Sequence, residues 1–231
     1  MKKRPITTLF LIQSLDGKIN SGNNDNFDVD KDWCRIDGVK EGLYQYYEIE
    51  QKTDLFSLNT GRVMEKIGVN ERKNEPLKSP CTFIIIDNKP HLKESGLNYI
   101  SKWVNKLISV TINKEHPIHK IKEKYNNIDI LLYKELNITI LLEDLYEKYN
   151  INKLTIQSGG NLNGLFLRNN LLDYIHIIIA PLLVGGRDVS TLIDGEGIKN
   201  ENELNKLKSL ELIKCNQLKD SYLELIYKVR K

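Results

Sequence analysis

Between Lys153 and Leu183 the chain reads as a short strand, a glycine turn, a helix and a second apolar strand, and this order restricts the folds open to it. Leu154 and Ile156 supply the first strand. Gly159 and Gly160 let the backbone turn and approach a ligand with no Cβ in the way, and Leu162, Leu165 and Phe166 give the next segment one apolar helical face. The run Asp173-Tyr-Ile-His-Ile-Ile-Ile-Ala-Pro-Leu-Leu183 reads as a buried strand. Amides at the start of such a helix lack partners within it and suit an anion. Two common phosphate loops are excluded. One ends in Gly-Lys-Ser/Thr, and the other needs Gly-x-Gly-x-x-Gly with an acidic residue about 20 positions on. The residues here are Gly-Gly-x-x-x-Gly, which suit an ordinary tight connection as well as a phosphate site.

The rest of the chain repeats the alternation. Residues 6–14 form a largely apolar strand ending at the Asp16-Gly17 turn, and residues 20–32 read as a polar loop. Ile36, Val39, Leu43 and Tyr46 recur at helical spacing and predict a helix as far as Lys52. Residues 54–58 form a strand, and Asn59-Thr60-Gly61 opens a helix through Lys66. Strands are expected at 81–86, 106–112 and 128–132, a weak helix at 115–125, and a firmer helix marked by Ile138, Leu141, Leu142, Leu145 and Tyr149. Strands alternating with helices predict a mostly parallel sheet with flanking helices. Residues 207–217 and 221–229 read as an antiparallel hairpin added at the sheet edge. With no linker or repeat, residues 1–231 are expected to form a single domain.

Charge and cysteine usage narrow the partners. The formal net charge is +3, and acidic residues are interspersed with the lysines, so no basic stripe for nucleic acid is present. Cys34, Cys81 and Cys215 form no Cys-x-x-Cys pair, which argues against disulfides and zinc and for a reducing compartment. The start, Met-Lys-Lys-Arg-Pro before an apolar run, superficially resembles a leader. Thr7, Thr8 and Gln13 interrupt that run, and no small-residue cleavage site follows. No apolar stretch approaches the ~20 residues of a membrane span, so no membrane partner and a cytoplasmic location are expected. His116 and His119 flank Pro117 without a metal-binding partner, His176 reads as a core histidine, and His91 lies in a loop. No metal site is expected.

Three segments in order carry a resemblance: Ser14-Leu-Asp-Gly17-Lys, then Asn59-Thr-Gly-Arg-Val-Met-Glu65, then Gln157-Ser-Gly-Gly-Asn-Leu-Asn-Gly164 with Ala180-Pro-Leu-Leu-Val-Gly-Gly186 behind it. Over essentially the whole chain they resemble the reductase domain of the bifunctional riboflavin-biosynthesis deaminase-reductase. The resemblance implies an α/β, dihydrofolate reductase-like fold, a homodimer, and NADPH-dependent reduction of a ribosylamino group on a pyrimidine. The deaminase signature, His-x-Glu with Pro-Cys-x-x-Cys, does not occur in this sequence.

Carried over by position, Ser158, Gly159, Gly160, Asn161, Leu162, Asn163, Gly164 and Leu165 form the cofactor pyrophosphate loop. Gln13 and Ser14 approach the nicotinamide end, and Gly61 and Arg62 hold the cofactor. Glu65, where many members have Asp, falls beside them where members hold the cofactor, and as an acid able to orient water or a ribose hydroxyl it is the candidate catalytic residue. Asp16, Arg72 and Gln157 face the small-molecule substrate. Arg62 and Lys89 are candidate cations for the 2′-phosphate. Asp16-Gly17 is foremost a turn former, and Glu65 equally suits a solvated helix residue.

Two positions depart from the family pattern. Gln157 stands where members commonly have Glu, and Ile49 where a substrate-binding Arg falls late in the first helix, with Tyr46 and Tyr47 nearby. They predict a conserved cofactor site with weakened phosphoribosyl recognition. A pterin reductase fits less well, because the first helix has no evident buried acid. A nucleotide-binding protein that has lost turnover remains compatible with the same residues.

Overall fold

The computed structural model describes residues 3–230; Met1 and Lys2, which open the segment weighed as a leader, lie outside the described residues. In chain order the elements are β1 (Ile6–Ser14), α1 (Val29–Asp32), α2 (Tyr44–Glu50), β2 (Phe56–Thr60), α3 (Gly61–Lys66), β3 (Thr82–Ile86), α4 (Glu94–Trp103) and β4 (Lys106–Thr111). They continue with α5 (Ile118–Lys122), β5 (Ile128–Leu132), α6 (Ile138–Tyr149), β6 (Lys153–Ile156), α7 (Gly160–Arg168), β7 (Tyr174–Ala180), β8 (Leu210–Gln217) and β9 (Leu223–Val229). They divide between two compact units, residues 54–158 with 3–5, and residues 6–53 with 159–230.

In the first unit the strands run β5-β4-β3-β2-β6, and each neighbouring pair is parallel. Parallel neighbours need crossovers, which the intervening helices supply. Met64 of α3, Leu97 and Ile100 of α4, and Ile118 and Ile121 of α5 pack in one cluster with Ile85, Leu107 and Ile128 of the strands. The sequence reading missed α4, because Ser95, Gly96, Asn98 and Ser101 dilute its apolar stripe. Gly96 is there for close packing: a Cβ would lie 2.3 Å from Asn70 Oδ1.

The second unit carries the expected hairpin. Its order is β1-β7-β9-β8, with β1 parallel to β7 and both β7·β9 and β9·β8 antiparallel. Phe10, Ile12, Ile178 and Ala180 pack against Val29, Trp33, Leu43 and Tyr46, with Phe10 and Tyr46 stacked at 5.2 Å. The helix expected over residues 36–52 is shorter than its apolar spacing suggests. Turns occupy residues 37–43, and Gly38, at φ 82°, takes a left-handed conformation that a helix cannot include. Val39, Leu43 and Tyr46 are still buried, so the spacing tracked the buried face and not the helix. Within the expected loop 20–32, Asp28 caps the short α1 by accepting from the Asp30 amide at 3.0 Å. His176 is the core histidine expected, paired at 3.0 Å with Glu224, which Lys214 and Asn216 also contact. Among the described residues no helix is long and apolar enough to cross a membrane.

Candidate active site

In the second unit the candidate residues converge where β1 ends and α7 begins. Ser14 is fully buried: its Oγ donates to Asp16 Oδ1 at 2.6 Å and accepts from the Lys18 amide at 2.9 Å. Gly17, at φ 79°, closes the turn in a conformation that favours glycine. Asp16 also accepts from the amides of Val184 at 3.1 Å and Gly185 at 2.6 Å. Burial alone raises such a carboxyl, but the hydrogen bonds from Ser14, Val184 and Gly185 outweigh it and hold Asp16 at about 2. The residues after β7 thus form a strap over the turn, continued by Ile19 N–H to Ser190 O and Leu192 N–H to Gly17 O. These bonds engage Ser14 and Asp16 within the fold.

The same strap explains two of the glycines. A Cβ on Gly160 would lie 2.3 Å from Asp194 Oδ2 and 2.4 Å from Thr191 O, and one on Gly164 would lie 2.1 Å from Asp194 O. Thr191 fastens the Asp194 carboxylate through both its amide and its hydroxyl. Asn163, fully buried, donates to Leu192 O at 2.8 Å. Gly160, Asn163 and Gly164 therefore serve contact with the chain's own strap, a role the spacing alone did not reveal. Gly159 is different. It caps α7 with extended backbone, a Cβ there would meet nothing within 4 Å, and its carbonyl accepts from the Leu162 and Asn163 amides at 3.0 and 3.1 Å, leaving the Gly160 and Asn161 amides at the head of the helix. Asn161 and Leu165 are exposed, and beside them a cleft of about 380 Å³ runs between α7 and residues 194–198.

In the first unit Thr60 caps α3, accepting from the Val63 amide at 3.3 Å. Gly61 is buried against the Asp87 carboxylate, whose atoms stand 2.2–2.5 Å from where a Cβ would lie. Arg62 is exposed and Glu65 is half-buried late in the helix. Asp87, at the end of β3 and 2% exposed, accepts from the His91 amide, His91 Nδ1, the Leu92 amide and His116 Nε2, all at 3.0–3.2 Å. The Ile118 amide donates to His116 Nδ1, so the hydrogen on His116 sits on Nε2 and points at Asp87. Burial works against ionising Asp87, yet these donors keep its carboxyl below the ordinary value of 3.8. Sequence reading ended a strand at residue 86 and gave Asp87, His91 and His116 no role. His116 lies 29 positions from its partner, a distance no local pattern spans.

Arg72 is accounted for by packing. Its guanidinium lies 5.5 Å from the Tyr99 ring centre and 5.7 Å from that of Trp103. Gln157 continues β6, its amide donating to Leu58 O at 2.9 Å and its Oε1 accepting from Ser57 Oγ at 2.7 Å. Ile49 packs at the margin of the core of the second unit, as does Tyr47, whose hydroxyl donates to Asp30 at 2.5 Å.

Against this geometry, the model of the RibD C-terminal domain matches residues 5–221. The chain belongs to the RibD C-terminal domain family. Its relatives include the 2,5-diamino-6-ribosylamino-4(3H)-pyrimidinone 5′-phosphate reductase of Methanothermobacter thermautotrophicus, 26% identical over 204 residues, which are 84% of this chain and 86% of that protein. Riboflavin biosynthesis protein RibD of Actinobacillus pleuropneumoniae is 26% identical over 217 residues, which are 91% of this chain but 55% of that protein. The chain thus spans little more than half of such RibD proteins.

Among solved structures, Acinetobacter baumannii RibD superposes with a TM-score of 0.68 at 15% identity, covering 99% of this chain and 59% of that one. Saccharomyces cerevisiae Rib7, a riboflavin biosynthesis reductase, gives 0.62 at 17% identity, covering 98% and 90%. At such identities the RibD likeness speaks for the fold alone, and it agrees with the expected α/β architecture.

Proposed function

We propose that this chain is an NADPH-dependent reductase of riboflavin biosynthesis, acting on a phosphoribosylaminopyrimidine such as 5-amino-6-(5-phosphoribosylamino)uracil. The observation that carries this reading is the family match across residues 5–221, which spans both units and supports treating residues 1–231 as one reductase domain. The Methanothermobacter relative, 26% identical, is named as a reductase of a ribosylaminopyrimidinone 5′-phosphate, and the Actinobacillus relative as a riboflavin biosynthesis protein.

The residues present suit the cofactor. Open space at Gly159 and the Gly160 and Asn161 amides at the head of α7 suit a pyrophosphate, to which Ser158, Asn161, Leu162 and Leu165 are assigned, with Gln13 and Ser14 assigned to the nicotinamide end. When bound, NADPH supplies the hydride, so the protein's task is to align donor and acceptor carbons and manage a proton. Glu65 is the acid assigned to that proton, and Gln157 the group assigned to the substrate. Gly61 and Arg62 hold the adenosine side, where Arg62 and Lys89 are the cations for the 2′-phosphate. A homodimer is supported by the edge strand β8, which leaves Leu210, Leu212 and Ile213 exposed beside Leu204 and Leu207. Three free cysteines suit a reducing cytoplasm.

Recognition of the 2′-phosphate through charge predicts tighter binding of NADPH than NADH, with the gap narrowing as the Debye length shrinks from about 30 Å at 0.01 M salt to about 3 Å at 1 M. Fluorescence titration of both cofactors at the two salt levels checks this; equal affinities at low salt contradict it. The function is tested by following NADPH oxidation with the uracil compound, with its 2,5-diamino counterpart and with a dihydropterin. Turnover of either pyrimidine and none of the pterin is expected, and the reverse pattern defeats the reading.

A further inference from the structure

The β8–β9 hairpin of the second unit has two unlike faces. Directly paired residues of neighbouring strands share a face, and successive residues along a strand alternate between faces. On one face Ile175, Tyr227 and Leu212 form a row, and Ile177, Leu225 and Cys215 form the next. None of these side chains is charged, and their cover thins toward the sheet edge. Ile175 and Ile177 on β7 are 5% and 7% exposed, Tyr227 and Leu225 on β9 are half-buried, and on β8 Cys215 is exposed and Leu212 is 53% exposed. The opposite face carries the charges: Lys228 stands across from Glu211, and Glu224 accepts from Lys214 at 2.9 Å and from Asn216 at 2.8 Å. An antiparallel sheet with one wet side keeps its polar face to the water and packs its apolar face. In this hairpin the apolar face is the one left open.

We infer that this face is where a second copy of the chain docks, the face of β9 and β8 in one copy packing on the same face of the other about a two-fold axis. The inference rests on the homodimer reading and gives that dimer its contact. A charged partner surface is disfavoured, because a lysine or carboxylate pressed onto these rows would lose its water and gain no partner. A second copy brings an equally uncharged face, and a two-fold sets Leu212, Cys215, Leu225 and Tyr227 against the same set of side chains. Pairing of two β8 strands edge to edge fits less well. The register of β8 shifts between Leu212 and Lys214, and a bulge with a lysine beside it blunts an edge.

The test uses the full chain. Sedimentation equilibrium gives the dimer Kd, and reaction with a bulky maleimide reports whether Cys215 is covered, with the exposed Cys34 as control in the same molecule. Wild type should be a dimer in which Cys215 is protected and Cys34 is not. Leu212→Lys should raise the dimer Kd about a hundredfold, about tenfold from each copy, and should free Cys215 to react. Leu212 is already exposed in the single copy, so this variant should keep its fold, which circular dichroism checks. Lys228→Ala, on the charged face, should leave the dimer Kd within about twofold. A wild type that is monomeric at every concentration overturns the homodimer reading and this inference together, and binding of that monomer to phosphatidylcholine vesicles would give the face to a lipid surface instead. A dimer that survives Leu212→Lys, that Lys228→Ala weakens as much, or whose Cys215 reacts as fast as Cys34 keeps the homodimer and overturns the assignment of this face. The labelling of wild type decides the matter even if Leu212→Lys fails to fold.

Discussion

Gly164→Val will lower the thermal midpoint by about 6–12 °C, because forcing side-chain atoms into a filled space costs about 3 kcal/mol and a chain of this size loses about 2–4 °C for each kcal/mol. The added Cβ would stand 2.1 Å from Asp194 O, and backbone at that point is tied down by the Asp194 N–H to Gly160 O bond of 3.0 Å. Cofactor affinity will fall with it, as a consequence of the damaged strap. Gly159→Asp gives the opposite pairing of effects. Aspartate is a good N-cap residue and its charge suits a helix start, so the fold should keep or gain up to about 1 kcal/mol. The same charge meets a bound pyrophosphate, and NADPH affinity should drop at least about tenfold, equivalent to about 1.4 kcal/mol. Thermal melts and cofactor titration of the two variants separate packing glycines from the phosphate glycine. An unchanged midpoint in Gly164→Val, or unchanged NADPH affinity in Gly159→Asp, contradicts the assignment.

The second large effect is expected at Asp87. Asp87→Ala leaves the His91 and Leu92 amides and His116 Nε2 without their acceptor inside the first unit, and should cost about 3–5 kcal/mol, the range for breaking a buried polar pair from one side. An unfolding free energy within about 1 kcal/mol of wild type would show that the cluster contributes little. The carboxylate also carries an acid dependence of known sign. Its folded pKa is depressed below 3.8, so its stabilisation is fully present above that value and is lost as pH falls through the folded pKa. Thermal melts from neutral pH down to about pH 3 should show wild type losing stability more steeply than Asp87→Asn, which has no charge to titrate.

These two sites also show what the sequence made legible. The strand and helix segment from Lys153 to Ala180 and the helix Ile138–Tyr149 follow their apolar periods, because each element buries its apolar residues. Gly159, Gly160 and Gly164 were recognisable as one motif, but the division of labour among them depends on Asp194, thirty or more positions later in the chain. Asp87, His91 and His116 are brought together by β3 and by the start of α5, and neither histidine sits in a local pattern that announces the third residue. The bond from Ser57 to Gln157 was equally hidden, since a polar residue in a five-residue strand reads as ordinary alternation until β6 is laid beside β2. In the helix expected after Ile36 the period was real but the backbone was not helical, because Gly38 turns the chain while Val39 and Leu43 still reach the core.

The central claim is that this chain moves a hydride from NADPH to the ribosyl carbon of a phosphoribosylaminopyrimidine. Incubating the chain with the uracil compound, or with its 2,5-diamino counterpart, and NADPH deuterated at C4 of the nicotinamide tests it directly, with mass spectrometry of the product. Deuterium in a ribitylamino product, at the carbon that bore the ribosyl nitrogen, is the predicted result. Oxidised cofactor with no label in the pyrimidine, or no consumption of either substrate by a folded protein that binds NADPH, would contradict it.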